Sequence, residues 1–351
     1  MKSASKTERK NYLDIAKGIG IILVVWAHAN GPGSRYINLF HMPMFFFISG
    51  LLFNEKDTCE QYIIKKFKTL YIPFLFWNIV IYLIEYTLKV NLENKEFQLN
   101  AYLNVVFQIE AGVNKSTFLG ATWFLAALFW VSVLYKCLYG FLRRHLFYAS
   151  ILMTVICSVF TIIALNITIP YFISRTVICS LFYSLGVSCK NLMEKILSAS
   201  WKYYFAIALF AAYFLMNKDN TANMGQNIYA NKLYFLLGAF IISISIIILC
   251  YGIEEKLWEI GKWVLVFGVN RMEIVIWQFM AFIPIFLIQC IQNQVGVVEC
   301  VGLLVTKHTY DTSSFWWILY LIAGVGIPLL LRLILQNTKI MKVLKSLHLV
   351  R

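Results

Sequence analysis

The feature that most constrains this chain is a succession of ten apolar runs, each close to the length of a membrane-crossing helix, joined mostly by short polar segments. The runs cover 13–29, 37–53, 70–88, 118–138, 146–165, 170–189, 201–216, 229–251, 263–291 and 315–335. A helix needs about 20 mostly apolar residues to cross the hydrocarbon core. In hydrocarbon every backbone polar group must be bonded internally, so runs of this kind fold as helices. Composition agrees: 60% of the chain is hydrophobic and 14% charged, against about 45–50% and about 25% in soluble domains. A soluble globule is therefore excluded. With only six Pro, 18 Gly and eight Cys in 351 residues, collagen-like, disordered and disulfide-scaffold chains are excluded as well. The expected fold is all-α: a polytopic integral membrane protein of about ten transmembrane helices, forming one domain over 1–351.

The net charge of +14 would suggest nucleic acid in a soluble protein. Here the basic residues sit in the joints, and they sort by side. The N-terminus, the joints after even-numbered runs and the C-terminus hold 22 Lys and Arg, while the other joints hold seven. Lys and Arg concentrate on the cytoplasmic side, so both termini are expected in the cytoplasm and no nucleic acid is expected as a partner. The basic N-terminal stretch is followed by His28, Asn30 and Pro32 rather than by a small-residue cleavage site, so a removed signal is not expected. The cysteines show neither CxxC pairs nor His/Cys metal spacing, and no metal site is expected. Only Cys290 and Cys300 are placed to meet near the outer face. No Walker loop or Rossmann glycine pattern appears, which argues against an ATP-driven pump.

Ionisable residues inside a membrane are costly and mark functional sites. The densest group lies in the first two runs. Lys17 and His28 are separated by three helical turns plus about 20°, so they share one face about 16 Å apart, and Asp14 lies within about 40° of that face. One stripe thus carries a cation near the cytoplasmic surface and an imidazole deep in the bilayer. That suits an elongated ligand with an anionic end and a reactive tip, such as acyl-coenzyme A. Lys17 alone would equally serve as a snorkelling anchor. In the second run His41 precedes Pro43, which interrupts helical hydrogen bonding. The joint between the two runs is short, so they are antiparallel neighbours, and His28 and His41 can face each other. One would act as base towards a hydroxyl; the other would bond an oxyanion or the acceptor, or His41 would simply bond backbone at a kink. Arg271 and Glu273, two residues apart, cannot face each other on one helix; each lines a cavity or pairs with another helix. Arg175 reads as an outer-leaflet anchor or an acceptor contact, and Glu85 as an interfacial residue.

These residues resemble a known family. Asp14, Lys17-Gly18 and His28 are similar to the first helix of the acyltransferase-3 membrane family. The run FHMPMFFFISG, from Phe40 to Gly50, is most similar to its branch of fucose 4-O-acetylase-like proteins. Lys65-Lys66-Phe67-Lys68 resembles the family's basic stretch before the third helix, and Thr122-Trp123-Phe124-Leu125 its Trp-Phe-Leu signature. Phe182–Gly186 and Gly268-Val269-Asn270 resemble its later glycine motifs. The resemblance spans nearly the whole chain. Family members often carry Arg at the positions of Lys17, Lys65, Lys66 and Lys68; Lys keeps the charge without the bidentate fork. Where the family often places a His in the ninth helix, this chain has Gln278, which cannot act as a base.

The resemblance implies transfer of an acetyl or small acyl group from acetyl-coenzyme A to a hydroxyl of a cell-envelope sugar or lipid-linked saccharide, in a bacterial cytoplasmic membrane. His28 and His41 would be catalytic, with His28 as base or as carrier of an acyl-imidazole. Lys17, Lys65, Lys66 and Lys68 would bind the donor's phosphates, although the three clustered lysines also fit an ordinary positive-inside cluster. Asp14, Trp123, Arg271, Glu273 and Asn270 complete the candidate site. A transporter or flippase for an envelope lipid or sugar is the competing expectation. It would more often show inverted repeats of broken helices, which the sequence does not display.

Overall fold

The computed structural model describes residues 10–93, 99–107, 109, 116–143, 148–167 and 170–350. It is almost wholly helical. In chain order the helices are α1 (Asn11–His28), α2 (Ser34–Leu51), α3 (Cys59–Lys66), α4 (Ile72–Glu93), α5 (Leu99–Phe107), α6 (Trp123–Arg143), α7 (Ala149–Asn166) and α8 (Tyr171–Ser188). They continue as α9 (Lys190–Ser198), α10 (Lys202–Met216), α11 (Lys232–Lys256), α12 (Trp258–Val269), α13 (Arg271–Gln292), α14 (Val297–Leu304), α15 (Trp316–Leu335) and α16 (Lys339–Ser346). The described residues form one sheet, a two-stranded antiparallel hairpin of β1 (Ala222–Asn223) and β2 (Ile228–Tyr229).

Among the described residues six helices are long and apolar enough to cross a membrane, and a seventh span arises if α8 and α9, bent by 54°, are taken together. The chain is thus an all-α polytopic membrane protein. Three of the expected runs, now α1, α2 and α10, fall outside that set, α10 because it is only 15 residues long. Asp14, Lys17 and His28 dilute the apolar character of α1, and Arg35, Asn38 and His41 that of α2. The residues that suggest chemistry therefore lie in the least hydrocarbon-like helices.

Local sequence explains the joints. α1 stops at His28 because Asn30 takes a left-handed conformation (φ 53°), and α2 starts from Gly33 at φ 76°. The reversal between them is tight, and the two helices pack as antiparallel neighbours. α3 is opened by a capping box in which Thr58 and Gln61 satisfy each other's backbone N–H groups. A π-helical turn, Phe67–Tyr71, links α3 to α4. Where one run is expected over 263–291, two helices meet at Asn270, whose side chain bonds the Val266 carbonyl at 2.8 Å.

Two crossings are closed by glycine. A Cβ on Gly268 would run into the Asp14 carbonyl oxygen, and one on Gly18 into that of Val264, so α1 and α12 touch backbone to backbone. Gly50 and Gly186 do the same for α2 and α8, against the carbonyls of Tyr183 and Phe47. Close approach through small residues holds helices together where lipid offers no hydrophobic drive. The glycine motifs noted in the sequence thus set the position of α1 and α2, the helices that carry Lys17, His28 and His41.

Several charges take other places than their depth suggests. Glu85, read as interfacial, is buried within the protein and accepts bonds from the Ser116 hydroxyl and, at 2.9 Å, from the Thr117 N–H. It thereby fixes the segment leading into α6. Lys136 is buried under the α2–α3 joint, donating to the Asn54 and Glu55 carbonyls at 3.0 and 3.2 Å. The joint after α8 is largely helical, as α9, and Lys10 ties that helix to α1 through Glu194 at 2.9 Å.

Candidate functional site

A cavity of about 500 Å3 runs between α1, α2, α6, α13 and the loops that carry Ser116, Asn223 and His308. Lys17, His28, His41, Trp123 and Arg271 all line it, so residues spread over some 250 positions converge on one space. Lys17 and Arg271 lie at one end, with Leu70 and Val269. The β-hairpin, from Asn223 to Gln226, lies at the other, with Ser116, Thr306 and His308.

At the first end Lys17 bonds Asp14 at 2.9 Å, one helical turn away, so Asp14 steadies the cation rather than entering the cavity. Arg271 donates to the Gly268 carbonyl at 2.6 Å and follows directly on Asn270, where α12 gives way to α13. The helix break is what brings Arg271 to the wall. Glu273 takes the other course: it pairs with Arg332 of α15 and does not line the cavity. Lys65, Lys66 and Lys68 also lie outside the wall. Lys65 stands 3.8 Å from Asp57, and Lys66 lies over the Tyr62 ring. Leu70, at the end of the same segment, is where that segment reaches the cavity.

In the middle, the amide of Gln278 donates to the Val275 carbonyl at 3.1 Å. Its oxygen faces His28 Nδ1 at 2.9 Å. An amide oxygen only accepts, so Nδ1 carries the proton and Nε2 keeps its lone pair. Gln278 is thus not a base but the group that sets the tautomer of one. His41 Nδ1 donates to the Ile37 carbonyl at 2.7 Å. The expected backbone bond before Pro43 is real, and it has a consequence. A neutral His41 has no further N–H to offer an oxyanion, so that assignment fails for the neutral ring. Its remaining nitrogen can accept a hydrogen bond from an acceptor hydroxyl.

At the hairpin end Arg175, 1% exposed, stacks its guanidinium 4.6 Å above the Trp123 ring and lines the cavity. It is not a lipid-facing anchor. Cation–π contact with a desolvated indole strengthens such a pair, and it fixes Trp123 as part of the wall. The hairpin is pinned by three asparagines. Asn220 bonds Asn217 at 3.1 Å and the Asn231 N–H at 2.9 Å, and Asn231 caps α11. Gly225 packs against the Trp123 indole, closing the mouth.

One histidine escaped the sequence analysis. His308 lies in the long joint between α13 and α15, yet its Nε2 is 3.2 Å from the main-chain oxygen of His28, and it lines the same cavity. Burial holds its imidazole below the usual histidine range. Its loop is anchored by Gln289, which bonds the Asp311 carbonyl at 2.9 Å and receives the Tyr320 hydroxyl at 2.6 Å. A disulfide between Cys290 and Cys300, the pair placed to meet in the sequence, ties α13 to α14 beside it. The remaining part of the longest outer joint, around 94–98 and 110–115, lies outside the described residues.

A family model described as an acyltransferase domain matches residues 10–336. No curated protein and no solved structure matches the chain.

Proposed function

The chain belongs to the acyltransferase-3 family of membrane acyltransferases, and on that premise we propose that it moves an acetyl or small acyl group from acetyl-coenzyme A to a hydroxyl of a cell-envelope saccharide, in a bacterial cytoplasmic membrane. The observation that carries this reading is one cavity with Lys17 and Arg271 at one end, imidazoles within it, and amide-rich loops with the buried Arg175 at the other.

The donor's phosphates would meet Lys17 and Arg271, with Lys65, Lys66 and Lys68 attracting them at the approach. Charge-assisted bonds to phosphate are among the strongest a protein makes. The pantetheine arm would extend along α1 towards His28, a distance of about 16 Å by helix geometry. The acceptor hydroxyl would arrive from the hairpin end. As its oxygen attacks the thioester carbonyl, His28 Nε2 takes the hydroxyl proton, and Gln278 steadies the imidazolium through Nδ1–H. Collapse of the tetrahedral intermediate breaks the carbon–sulfur bond, and the proton passes from His28 to the departing thiolate. The products are the ester and free coenzyme A, with no net change on the enzyme. The sequence leaves an acyl-imidazole route open; in either route His28 is the reacting residue.

The family membership and the imidazole in the cavity support acyl transfer over transport without chemistry. The test is release of coenzyme A thiol by purified full-length protein given acetyl-coenzyme A and saccharide acceptors. Acceptor-dependent thiol release is expected. Acceptor movement across vesicles with no thiol release would favour a transporter.

A further inference from the structure

The catalytic scheme above has one histidine as base and leaves two other cavity-lining imidazoles, His41 and His308, without a task. Because His308 Nε2 faces a carbonyl oxygen, which only accepts, Nε2 carries its proton and Nδ1 holds a lone pair. His28 likewise presents a lone pair on Nε2, since its Nδ1–H is held by Gln278. The two rings are 6.5 Å apart between centroids, and both pack on Phe279, at 4.8 Å for His28 and 4.9 Å for His308. Phe279 thus lies beside both imidazoles on the cavity wall, and each ring keeps one acceptor nitrogen. A single hydroxyl has one proton to give. If that proton goes to His28, the lone pair of His308 needs a second O–H close by, because an acceptor left without a donor once the saccharide has displaced water from the cavity is costly.

We propose that His308 is an acceptor-reading residue: it accepts a hydrogen bond from the hydroxyl adjacent to the one that becomes acylated, so the enzyme selects saccharides carrying two neighbouring free hydroxyls. The proposal rests on the acyl-transfer reading of the same site. It assigns selectivity to the loop between α14 and α15, whose anchoring by Gln289 and Tyr320 sets the distance between the imidazoles. The same loop placement would also result if His308 did no more than bond the His28 carbonyl and hold the end of α1. The two roles separate experimentally.

The experiment uses full-length protein in lipid vesicles, acetyl-coenzyme A, and methyl hexopyranosides together with their monodeoxy counterparts as probe acceptors. For the wild type, removing the hydroxyl next to the acylated position is expected to lower kcat/KM for the acceptor by about tenfold or more, the consequence of one unsatisfied buried group. In His308→Ala the ratio between diol and deoxy acceptor should fall towards one. His308→Phe keeps ring packing on Phe279 and Phe282 while removing both nitrogens, and should show the same loss of preference if the alanine variant does not fold. A preference retained in a folded variant would overturn the proposal, because a purely structural loss slows both acceptors alike. A wild type that transfers acyl groups without any diol preference would overturn it as well. A wild type that releases no thiol with any acceptor would instead defeat the acyl-transfer reading on which it rests.

Discussion

The two ends of the cavity are built by different means. The end at Lys17 and Arg271 is made of helices locked at a glycine crossing, with fixed charge supplied by Lys17, six residues into α1, and by Arg271 at the start of α13. The end at the hairpin and His308 is made of loops, held by asparagine, glutamine and tyrosine networks. A cation-lined, helix-built end suits an invariant ligand such as a coenzyme. A loop-built end, where amides surround the buried Arg175, suits a ligand that differs between relatives, since loops change without disturbing the packed scaffold. Between them stands His28, held by Gln278 from one side and touched by His308 from the other.

Perturbations should separate the ends. The largest effect is expected at the midpoint. His28→Ala should lower acyl transfer by about 10²–10⁴-fold, the usual cost of removing a positioned base, while coenzyme A binding measured by calorimetry persists. Near wild-type transfer would defeat the mechanism. At the donor end, Lys17→Gln should raise the dissociation constant for coenzyme A by roughly 10–100-fold, as expected for one lost hydrogen bond to a charged group. The acceptor KM should stay close to its original value.

Gln278→Leu should cost roughly tenfold in kcat with little change in either KM, since it frees the His28 tautomer and leaves Nδ1–H unpaired. A larger effect on either KM than on kcat would mean that Gln278 touches a substrate. At the outer end, Gln289→Leu should raise the acceptor KM by several-fold by releasing the loop that carries His308, and it should leave donor binding unaltered. Smallest of all, Lys65→Gln should change donor affinity by less than about fivefold, as for an exposed ion pair. A change as large as that of Lys17→Gln would place the basic cluster inside the binding site rather than at its approach.

The sequence revealed these ends unequally. Lys17 and His28 stood out because charge and imidazole in an apolar run are rare and helical periodicity fixes their spacing. Trp123 and Arg271 were found by resemblance and by depth. Gln278, by contrast, meets His28 across 250 residues, and His308 does so across 280. Neither contact leaves a periodic trace. His308 lies in a polar joint, where nothing local tells which side chains turn inward. The one available signal was the Cys290 and Cys300 pair, which brackets the start of that joint. The burial of Arg175 and Glu85 was missed for a related reason. Hydropathy reports depth along the membrane normal, not whether a loop such as the one at Ser116 folds over a side chain. The break at Asn270 escaped because the short polar stretch from Asn270 to Glu273 is flanked by apolar residues on both sides and was taken into one run.

The central claim is that His28 joins a donor entering from the cytoplasmic end to an acceptor entering from the opposite end of one cavity. It is tested most directly in sealed vesicles of known protein orientation, with acetyl-coenzyme A confined to one side and a membrane-impermeant saccharide to the other. Thiol release and acceptor acylation are followed for wild type and His28→Ala. Product is expected only with the donor on the side of the Lys17 and Arg271 end and the acceptor on the hairpin side, and it should be nearly abolished in the variant. Equal product with both substrates confined to the donor side would contradict the account.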